Sequence, residues 1–111
     1  MSDEIIRPPV HPGRVLLELF MEPLGLSQNK LAEALHVDPG RVNRIVTGKS
    51  SITADTALRL ARYFGTTPQV WMNLQSKYEL DVAKAEKAAE IEKNVQIREK
   101  REDGAHELAR G

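Results

Sequence analysis

The chain has 111 residues, 41% of them hydrophobic, and its 16 basic and 16 acidic side chains give no net charge. This length allows one small domain, and the absence of cysteine excludes disulfide bonds and thiolate chemistry. The first residues are not expected to form a signal peptide, and no apolar run is long enough to predict a membrane span. The composition therefore predicts a soluble protein of the cytoplasm with no membrane partner.

The chain is predicted to begin with an extended arm that is followed by a helix. Residues 5–13 contain three prolines, which exclude a helix there. A first helix is predicted over residues 13–22, and Pro23 and Gly25 are expected to end it. Three apolar side chains at helical spacing are predicted to face the core: Leu16, Leu19 and Phe20.

The pattern of residues 27–50 predicts two short helices joined by a tight turn. Ser27 is a typical N-cap for a helix that ends at Leu35, and Asp38 followed by Pro39 is typical of the start of a second helix. Apolar side chains at helical spacing allow the two helices to pack together: Leu31, Ala32, Leu35, Val42, Ile45 and Val46. This arrangement is a helix-turn-helix.

The exposed side of the second of these helices carries residue types that read DNA in the major groove. With about 100° between successive residues, Gly40, Arg44 and Thr47 lie opposite the buried side. Arginine can donate two hydrogen bonds to guanine, asparagine can pair with adenine, and glycine lets the backbone approach the bases. The predicted DNA-binding residues, including phosphate contacts at the helix ends, are Gln28, Pro39, Gly40, Arg41, Asn43, Arg44, Thr47, Lys49 and Ser50. The alternative is a solvated polar face, which the caps, the turn and the basic residues make the weaker interpretation.

Basic side chains are concentrated around this predicted face although the chain has no net charge. Residues 26–50 contain four basic and two acidic residues. A local basic face of this kind can bind DNA, but with a marked dependence on salt. Because one short helix contacts few base pairs, we expect a homodimer that binds an inverted repeat in double-stranded operator DNA.

Two further helices are predicted after the helix-turn-helix. Thr53 is a typical N-cap for a helix that ends near Phe64, and Thr67 with Pro68 begins the next one. Their predicted core residues are Ala57, Leu60, Ala61, Phe64, Trp71, Leu74 and Tyr78. No segment has the pattern of a strand. The sequence therefore predicts an all-α fold of five helices, with residues 1–80 as a DNA-binding domain.

Residues 81–111 are predicted to form a charged helical extension and tail. Their content of Ala, Lys and Glu favours a helix, and no strong stop signal occurs before Asp103 and Gly104. A narrow apolar stripe offers a contact for a second subunit or another protein: Ala85, Ala88, Ile91 and Val95. A solvated tail beyond about residue 95 is the alternative.

The sequence lacks the residue patterns of enzymes and metal sites. Residues 47–51 resemble the end of a phosphate-binding loop, but that loop needs glycine where Asn43 stands, and it needs a preceding strand. His11, His36 and His106 are far apart, and none has a cysteine or an acidic residue at ligand spacing. We therefore expect no catalytic activity, no metal and no cofactor.

Residues 11–37 and 41–80 resemble the HigA-type antitoxins, also described as plasmid-maintenance antidotes, within the repressor-like helix-turn-helix class. The most specific segments are His11-Pro12-Gly13, Ile52-Thr53-Ala54-Asp55-Thr56-Ala57, and Phe64-Gly65-Thr66 followed by Trp71. The chain departs from the family pattern at Arg14, where an acidic residue is common, and at His36, where glycine is usual. Histidine at that turn position must adopt a positive φ, which is uncommon but accessible to it.

The resemblance implies a transcriptional repressor that binds the operator of its own toxin-antitoxin operon as a homodimer. It also implies that the protein neutralises a HigB-type toxin, which cleaves mRNA, by direct binding. Two alternatives stay open: a phage- or plasmid-type repressor without a toxin partner, and a protein-interaction module that does not bind DNA.

Overall fold

The computed structural model describes residues 8–99, which form five helices and no strand, so the predicted all-α fold is confirmed. The first helix, α1, covers residues 12–24, with α-helical ends at Pro12–Val15 and Glu22–Leu24 around a π-helical middle at Leu16–Met21. The other four are α2 (Gln28–Leu35), α3 (Pro39–Val46), α4 (Ala54–Phe64) and α5 (Pro68–Asn94). Helices α2 and α3 form the predicted helix-turn-helix.

Side-chain caps fix the starts of the last four helices. Backbone N–H groups of the first turns donate to these caps over 3.0 to 3.3 Å. Because such N–H groups have no partner within their own helix, the caps satisfy donors that folding would otherwise leave unpaired. The capping residues are those predicted: Ser27, Asp38, Thr53 and Thr67. Gly65 ends α4 with a φ of 75°, the left-handed conformation expected at that position.

The π-helical middle of α1 changes which of its side chains reach the core. In a π-turn the hydrogen bond joins residues five apart, and the Glu22 N–H donates to the Leu17 carbonyl. Leu16 and Met21 therefore lie on the same side, and each is 1% exposed. Leu19 is 67% exposed, so its predicted burial, which assumed 3.6 residues per turn, was wrong.

Helix α1 also continues past its predicted end at Glu22. It runs through Pro23 to Leu24 and stops at Gly25, which has a φ of 63°. Proline is tolerated here because it directly follows the π-turn, where the α-helical hydrogen-bond pattern is already interrupted. The glycine, rather than the proline, ends the helix.

Trp71 lies at the centre of the core and is fully buried. Its ring centroid is 5.0 Å from that of Phe20 and 6.5 Å from that of Phe64. Its indole N–H donates to the Thr66 hydroxyl over 2.8 Å, so the one polar atom of the ring is satisfied. The other buried apolar side chains come from α1 to α4 and from the segment before α4: Leu16, Met21, Leu31, Ala32, Leu35, Val42, Ile45, Ile52, Ala57, Leu60 and Ala61.

Helix α5 extends beyond this core and ends at Asn94. Val95 is already extended, with φ −103° and ψ 112°. Ile91 and Val95, two residues of the predicted apolar stripe, are 50% and 64% exposed, so no other helix among residues 8–99 covers them. A helix without a packing partner depends mainly on its own propensity, and a β-branched valine at its end favours an extended backbone.

Some predictions concern residues outside the described range. The arm predicted over residues 5–13 is described from Pro8 onward, and residues 8–11 are not helical. Its predicted end was wrong, because Pro12 and Gly13 form the first turn of α1, where a proline without an N–H is tolerated. Asp103 and Gly104, where the last helix was predicted to stop, lie outside the described residues, as does His106. None of the helices within residues 8–99 combines the length and the apolar character that a membrane span requires.

Candidate nucleic-acid interface

The C-terminal end of α3 is held by the segment His11-Pro12-Gly13. His11 is the N-cap of α1, and its Nδ1 accepts a hydrogen bond from the Gly13 N–H over 2.9 Å. Pro12 is buried as the first residue of α1, where the missing N–H breaks no hydrogen bond. Gly13 lies so close to the carbonyl oxygen of Ile45 that no side chain fits between them. The segment therefore fixes α1 directly against α3.

The turn between α2 and α3 contains a histidine in the left-handed conformation. His36 has φ 59° and ψ 48°, as predicted for this position. The Val37 N–H donates to the Ala32 carbonyl over 3.0 Å. Arg59 of α4 donates through Nη1 to the Leu35 carbonyl over 2.8 Å and to the His36 carbonyl over 3.3 Å. The Ala32, Glu33 and Leu35 carbonyls at the end of α2 thus have partners even though the turn has no glycine.

Eight of the nine predicted DNA-binding residues are grouped along α3, its following loop and the start of α2, and we call them the α3 face. Five have exposed side chains or backbone, and they are Pro39, Asn43, Arg44, Thr47 and Lys49. The other three are half-buried, and they are Gln28, Gly40 and Ser50.

An amide pair joins the start of α2 to the middle of α3. Nδ2 of Asn43 donates to Oε1 of Gln28 over 3.0 Å, across two helices. The pair keeps an amide donor and an acceptor free, because each side-chain amide has more hydrogen-bonding capacity than one contact uses. Both residues were predicted to bind DNA, but the hydrogen bond between them was not predicted.

Gly40 leaves room for the Arg44 side chain above the first turn of α3. Its N–H donates to the capping Asp38 over 3.0 Å. A Cβ at position 40 would lie 2.7 Å from Oδ2 of Asp38 and 3.1 Å from Nη1 of Arg44. The glycine therefore allows the arginine to lie along the N-terminal half of α3, where it is exposed.

The end of α3 is closed by hydrogen bonds that use the Thr47 hydroxyl. Oγ1 of Thr47 donates to the Asn43 carbonyl over 2.7 Å, so its methyl group and the acceptor lone pairs of the hydroxyl remain for contact with a base. The backbone N–H groups of Lys49 and Ser50 both donate to the Arg44 carbonyl, over 2.7 and 3.0 Å. This tight loop places the Lys49 side chain just beyond the helix.

The two basic side chains of the α3 face are available to a polyanion. Within the described residues, neither Arg44 nor Lys49 forms an ion pair with an acidic side chain. An exposed cation without a partner can bind phosphate or a base edge without first breaking a contact.

Arg41, the ninth predicted DNA-binding residue, binds side chains of α4 instead of lying free on the α3 face. Its Nη1 donates to Oδ2 of Asp55 over 2.7 Å and lies 3.4 Å from the Thr56 hydroxyl. The Nε of Arg59 donates to the same oxygen of Asp55 over 2.8 Å. Hydrogen bonds from Arg59 and Arg41 lower the pKa of Asp55, so this carboxylate stays charged. The spacing of Asp55 and Arg59 along a helix could have indicated their pair, but nothing local indicates the contact with Arg41.

Gln75, a buried glutamine that was not among the predicted residues, supports the segment after α3. The Ile52 N–H donates to Oε1 of Gln75 over 2.8 Å, and Nε2 of Gln75 donates to Glu79 over 2.9 Å. Gln75 is one of two buried polar side chains in the described part of the chain. It satisfies an N–H that would otherwise be buried without a partner.

The ring of His11 lies between α1, the loop after α3, and α5. Its centroid is 4.8 Å from that of Tyr78, edge to face. Burial lowers the pKa of His11, and a hydrogen bond with the backbone of Ser50 opposes this effect. A neutral imidazole is needed for Nδ1 to accept the Gly13 N–H, so the lowered pKa favours the capped state.

Comparisons with known proteins identify the family of the chain. Residues 17–71 match the family described as Helix-turn-helix. Virulence-associated protein I of Dichelobacter nodosus is 52% identical over 80 residues, which are 72% of this chain and 74% of that protein.

Two solved structures are similar over nearly their whole length. An addiction module antidote protein of the HigA family from Coxiella burnetii is 44% identical with a TM-score of 0.79, over 83% of this chain and 100% of that one. The Pseudomonas aeruginosa antitoxin HigA, solved with the higBA promoter, is 44% identical with a TM-score of 0.78, over 79% of this chain and 96% of that one. Identity at this level, over this length, indicates a shared family and not only a shared fold. The chain belongs to the HigA family of helix-turn-helix antitoxins.

Proposed function

We propose that this protein represses its own toxin-antitoxin operon by binding operator DNA through the α3 face. The observation that carries the proposal is Arg44, which is exposed beside Gly40 and forms no ion pair within the described residues. An arginine in this position can donate two hydrogen bonds to a guanine. Support also comes from the 44% identical Pseudomonas aeruginosa HigA, which was solved with the higBA promoter.

The other residues of the α3 face have complementary roles in this proposal. Asn43 contacts a base, and Gln28 orients it through their shared hydrogen bond. Lys49 and Ser50 bind the phosphate backbone at one end of α3, and Pro39 packs against it at the other end. Gly40 and Thr47 are small residues, so α3 can approach the bases closely.

We propose that two chains bind together, because α3 alone is too short for useful specificity. It has 8 residues and is about 12 Å long, so it contacts only a few base pairs. A homodimer on an inverted repeat, with half-site centres about 10 bp or a multiple apart, doubles the contacts.

We also propose that the protein neutralises a HigB-type mRNA-cleaving toxin in the cytoplasm by direct binding, through a surface away from the α3 face. Membership of the HigA family supports this part. In this proposal, residues 1–80 are the DNA-binding domain, and residues 81–111 are a charged extension that contributes to the toxin or dimer contact. The protein itself acts by binding and needs no catalytic activity.

The DNA-binding proposal is tested by fluorescence anisotropy with a duplex from the region upstream of the gene and a scrambled duplex of the same composition. We expect tighter binding to the upstream duplex by about a thousandfold, with two chains per site. Arg44→Ala should weaken this binding by roughly 1 to 3 kcal/mol per half-site. Arg62→Ala is the matched control, because this exposed arginine lies on α4 beside Ala34 and His36 and away from the α3 face. Equal affinity for both duplexes would contradict the proposal.

The toxin part is tested by co-expression with the small protein encoded next to this gene. We expect the two to copurify, and growth arrest by the toxin to be relieved. Both effects should survive Arg44→Ala, because that change leaves the toxin contact intact. A toxin that stays active and unbound would contradict this part without affecting the DNA-binding proposal.

A further inference from the structure

One carboxylate oxygen connects α3 to α4. Asp55 lies in the first turn of α4, and its side chain is 54% exposed. Oδ2 accepts from Nη1 of Arg41 over 2.7 Å and from Nε of Arg59 over 2.8 Å. Arg41 lies in the first turn of α3, so the acidic residue holds a side chain of the helix that carries the DNA-binding face.

Arg59 extends the connection to the end of α2. Its Nη1 donates to the carbonyls of Leu35 and His36 while its Nε binds Asp55. The backbone of α3 packs mainly against α2 and α1, and the Arg41 side chain adds a link to α4. The resulting Arg41-Asp55-Arg59 cluster joins the turn of the helix-turn-helix to the starts of α3 and α4.

The exposure of this cluster argues against a large contribution to folding. All three side chains are more than a third exposed, at 37%, 54% and 38% for Arg41, Asp55 and Arg59. Exposed ion pairs stabilise proteins weakly, because water already solvates the separated charges. These charges lie next to the α3 face, so they can change the affinity for DNA, which is a dense polyanion.

We propose that Asp55 is a positioning residue for operator binding. It holds Arg41 against α4, which fixes the orientation of α3 and keeps Arg41 from binding phosphate. This inference rests on the proposed DNA-binding function. The carboxylate has two effects: it occupies a cation that would bind any DNA sequence, and it adds a negative charge that repels the phosphate backbone. Both effects lower sequence-independent affinity, while a fixed α3 preserves the geometry that reads the operator.

Asp55→Asn separates these effects from folding. The amide has nearly the same shape but no charge, so Arg41 is released toward the DNA. Log affinity against log salt should become steeper by about one unit per chain, as expected for one more phosphate contact. Affinity for scrambled DNA should rise, and the ratio of operator to scrambled affinity should fall. The midpoint of thermal unfolding should change little, because the pairs are exposed.

Arg41→Gln gives the complementary test. If the parent Arg41 does not bind phosphate, its removal leaves the salt slope of the parent unchanged while operator affinity falls, because α3 is less well fixed. In the double variant Asp55→Asn/Arg41→Gln, the steeper slope of Asp55→Asn should return to the parent value. A structural role alone would not produce this reversal.

The experiment is a salt titration of these three variants and the parent protein on the upstream duplex and on a scrambled duplex. A steeper slope for Asp55→Asn that Arg41→Gln reverses supports the inference. Two results would overturn the inference: Asp55→Asn keeps the salt slope of the parent, or Arg41→Gln alone lowers that slope by about one unit. The proposed function stands in both cases if the parent prefers the upstream duplex. If the parent shows no preference between the duplexes, both are overturned.

Discussion

Gly13 contacts the carbonyl oxygen of Ile45 so closely that a methyl group at position 13 would overlap it. This contact joins the first turn of α1 to the last turn of α3. The His11-Pro12-Gly13 segment therefore belongs to the framework that holds α3, although it lies near the start of the chain. Its three residues cap α1, begin it and permit the close approach.

Gly13→Ala should destabilise the protein by roughly 1 to 3 kcal/mol, because the obstacle is backbone that moves only if α3 moves. Urea unfolding measures this loss. Operator affinity should also fall at temperatures where the variant is folded.

Gly25→Ala is the control for that variant. A Cβ at position 25 meets no atom within 4 Å, but the residue has a φ of 63°. The control should lose about 1 to 2 kcal/mol through backbone strain alone. It should keep operator affinity, because α3 is not displaced. Equal losses of operator affinity in the two variants would show that the contact between Gly13 and Ile45 does not position α3.

Gln75→Leu should destabilise the protein by about 1 to 3 kcal/mol, because it leaves the Ile52 N–H buried without an acceptor. Urea unfolding at constant pH measures the change. Gln69→Leu is the matched control, because Gln69 is exposed on the same helix and bonds only to the Asn73 side chain among the described residues. The control should lie within about 0.5 kcal/mol of the parent. Similar losses for both variants would contradict the role assigned to Gln75.

The stability of the protein should fall as the pH decreases below about 6.5, in part because of His11. Burial lowers the pKa of the folded-state His11 below its usual value of 6.5, so the unfolded chain takes up this proton first. The free energy of unfolding therefore decreases from about pH 6.5 down to the folded-state pKa, and this contribution is constant below it.

His11→Asn tests the assignment, because asparagine keeps an oxygen that can cap α1 but does not titrate in this range. Unfolding of both proteins is followed between pH 5 and 8. The variant should lose the part of the pH dependence that comes from position 11. Parallel stability curves for the two proteins would contradict the lowered pKa.

Local rules predicted most of the fold from the sequence. The capping residues, the glycine after α4, and the apolar spacing of α2, α3 and α4 depend on neighbours along the chain. The burial of Leu19 was predicted wrongly because the π-turn in α1 has no clear sequence signal. The end of α5 at Asn94 lies well beyond the packed part of that helix, and no glycine or proline between residues 95 and 99 marks it.

The candidate site was predicted less completely than the fold, because several of its contacts join distant residues. Arg41 has the same residue type and nearly the same helical position as Arg44, yet its partner Asp55 is 14 residues away and on another helix. The bond between Asn43 and Gln28 spans 15 residues. Helical periodicity identifies the face on which a residue lies, but such contacts also depend on how α2, α3 and α4 pack.

The most direct test of the DNA-binding account compares Arg44→Ala with Lys49→Ala in a salt titration on operator and scrambled DNA. Arg44→Ala should weaken operator binding by about 1 to 3 kcal/mol per half-site and reduce discrimination at one base pair. Lys49→Ala should weaken binding to all sequences alike and lower the salt slope by about one unit per half-site. If the two variants behave identically on both DNAs, the assignment of Arg44 to base reading and Lys49 to phosphate binding is wrong.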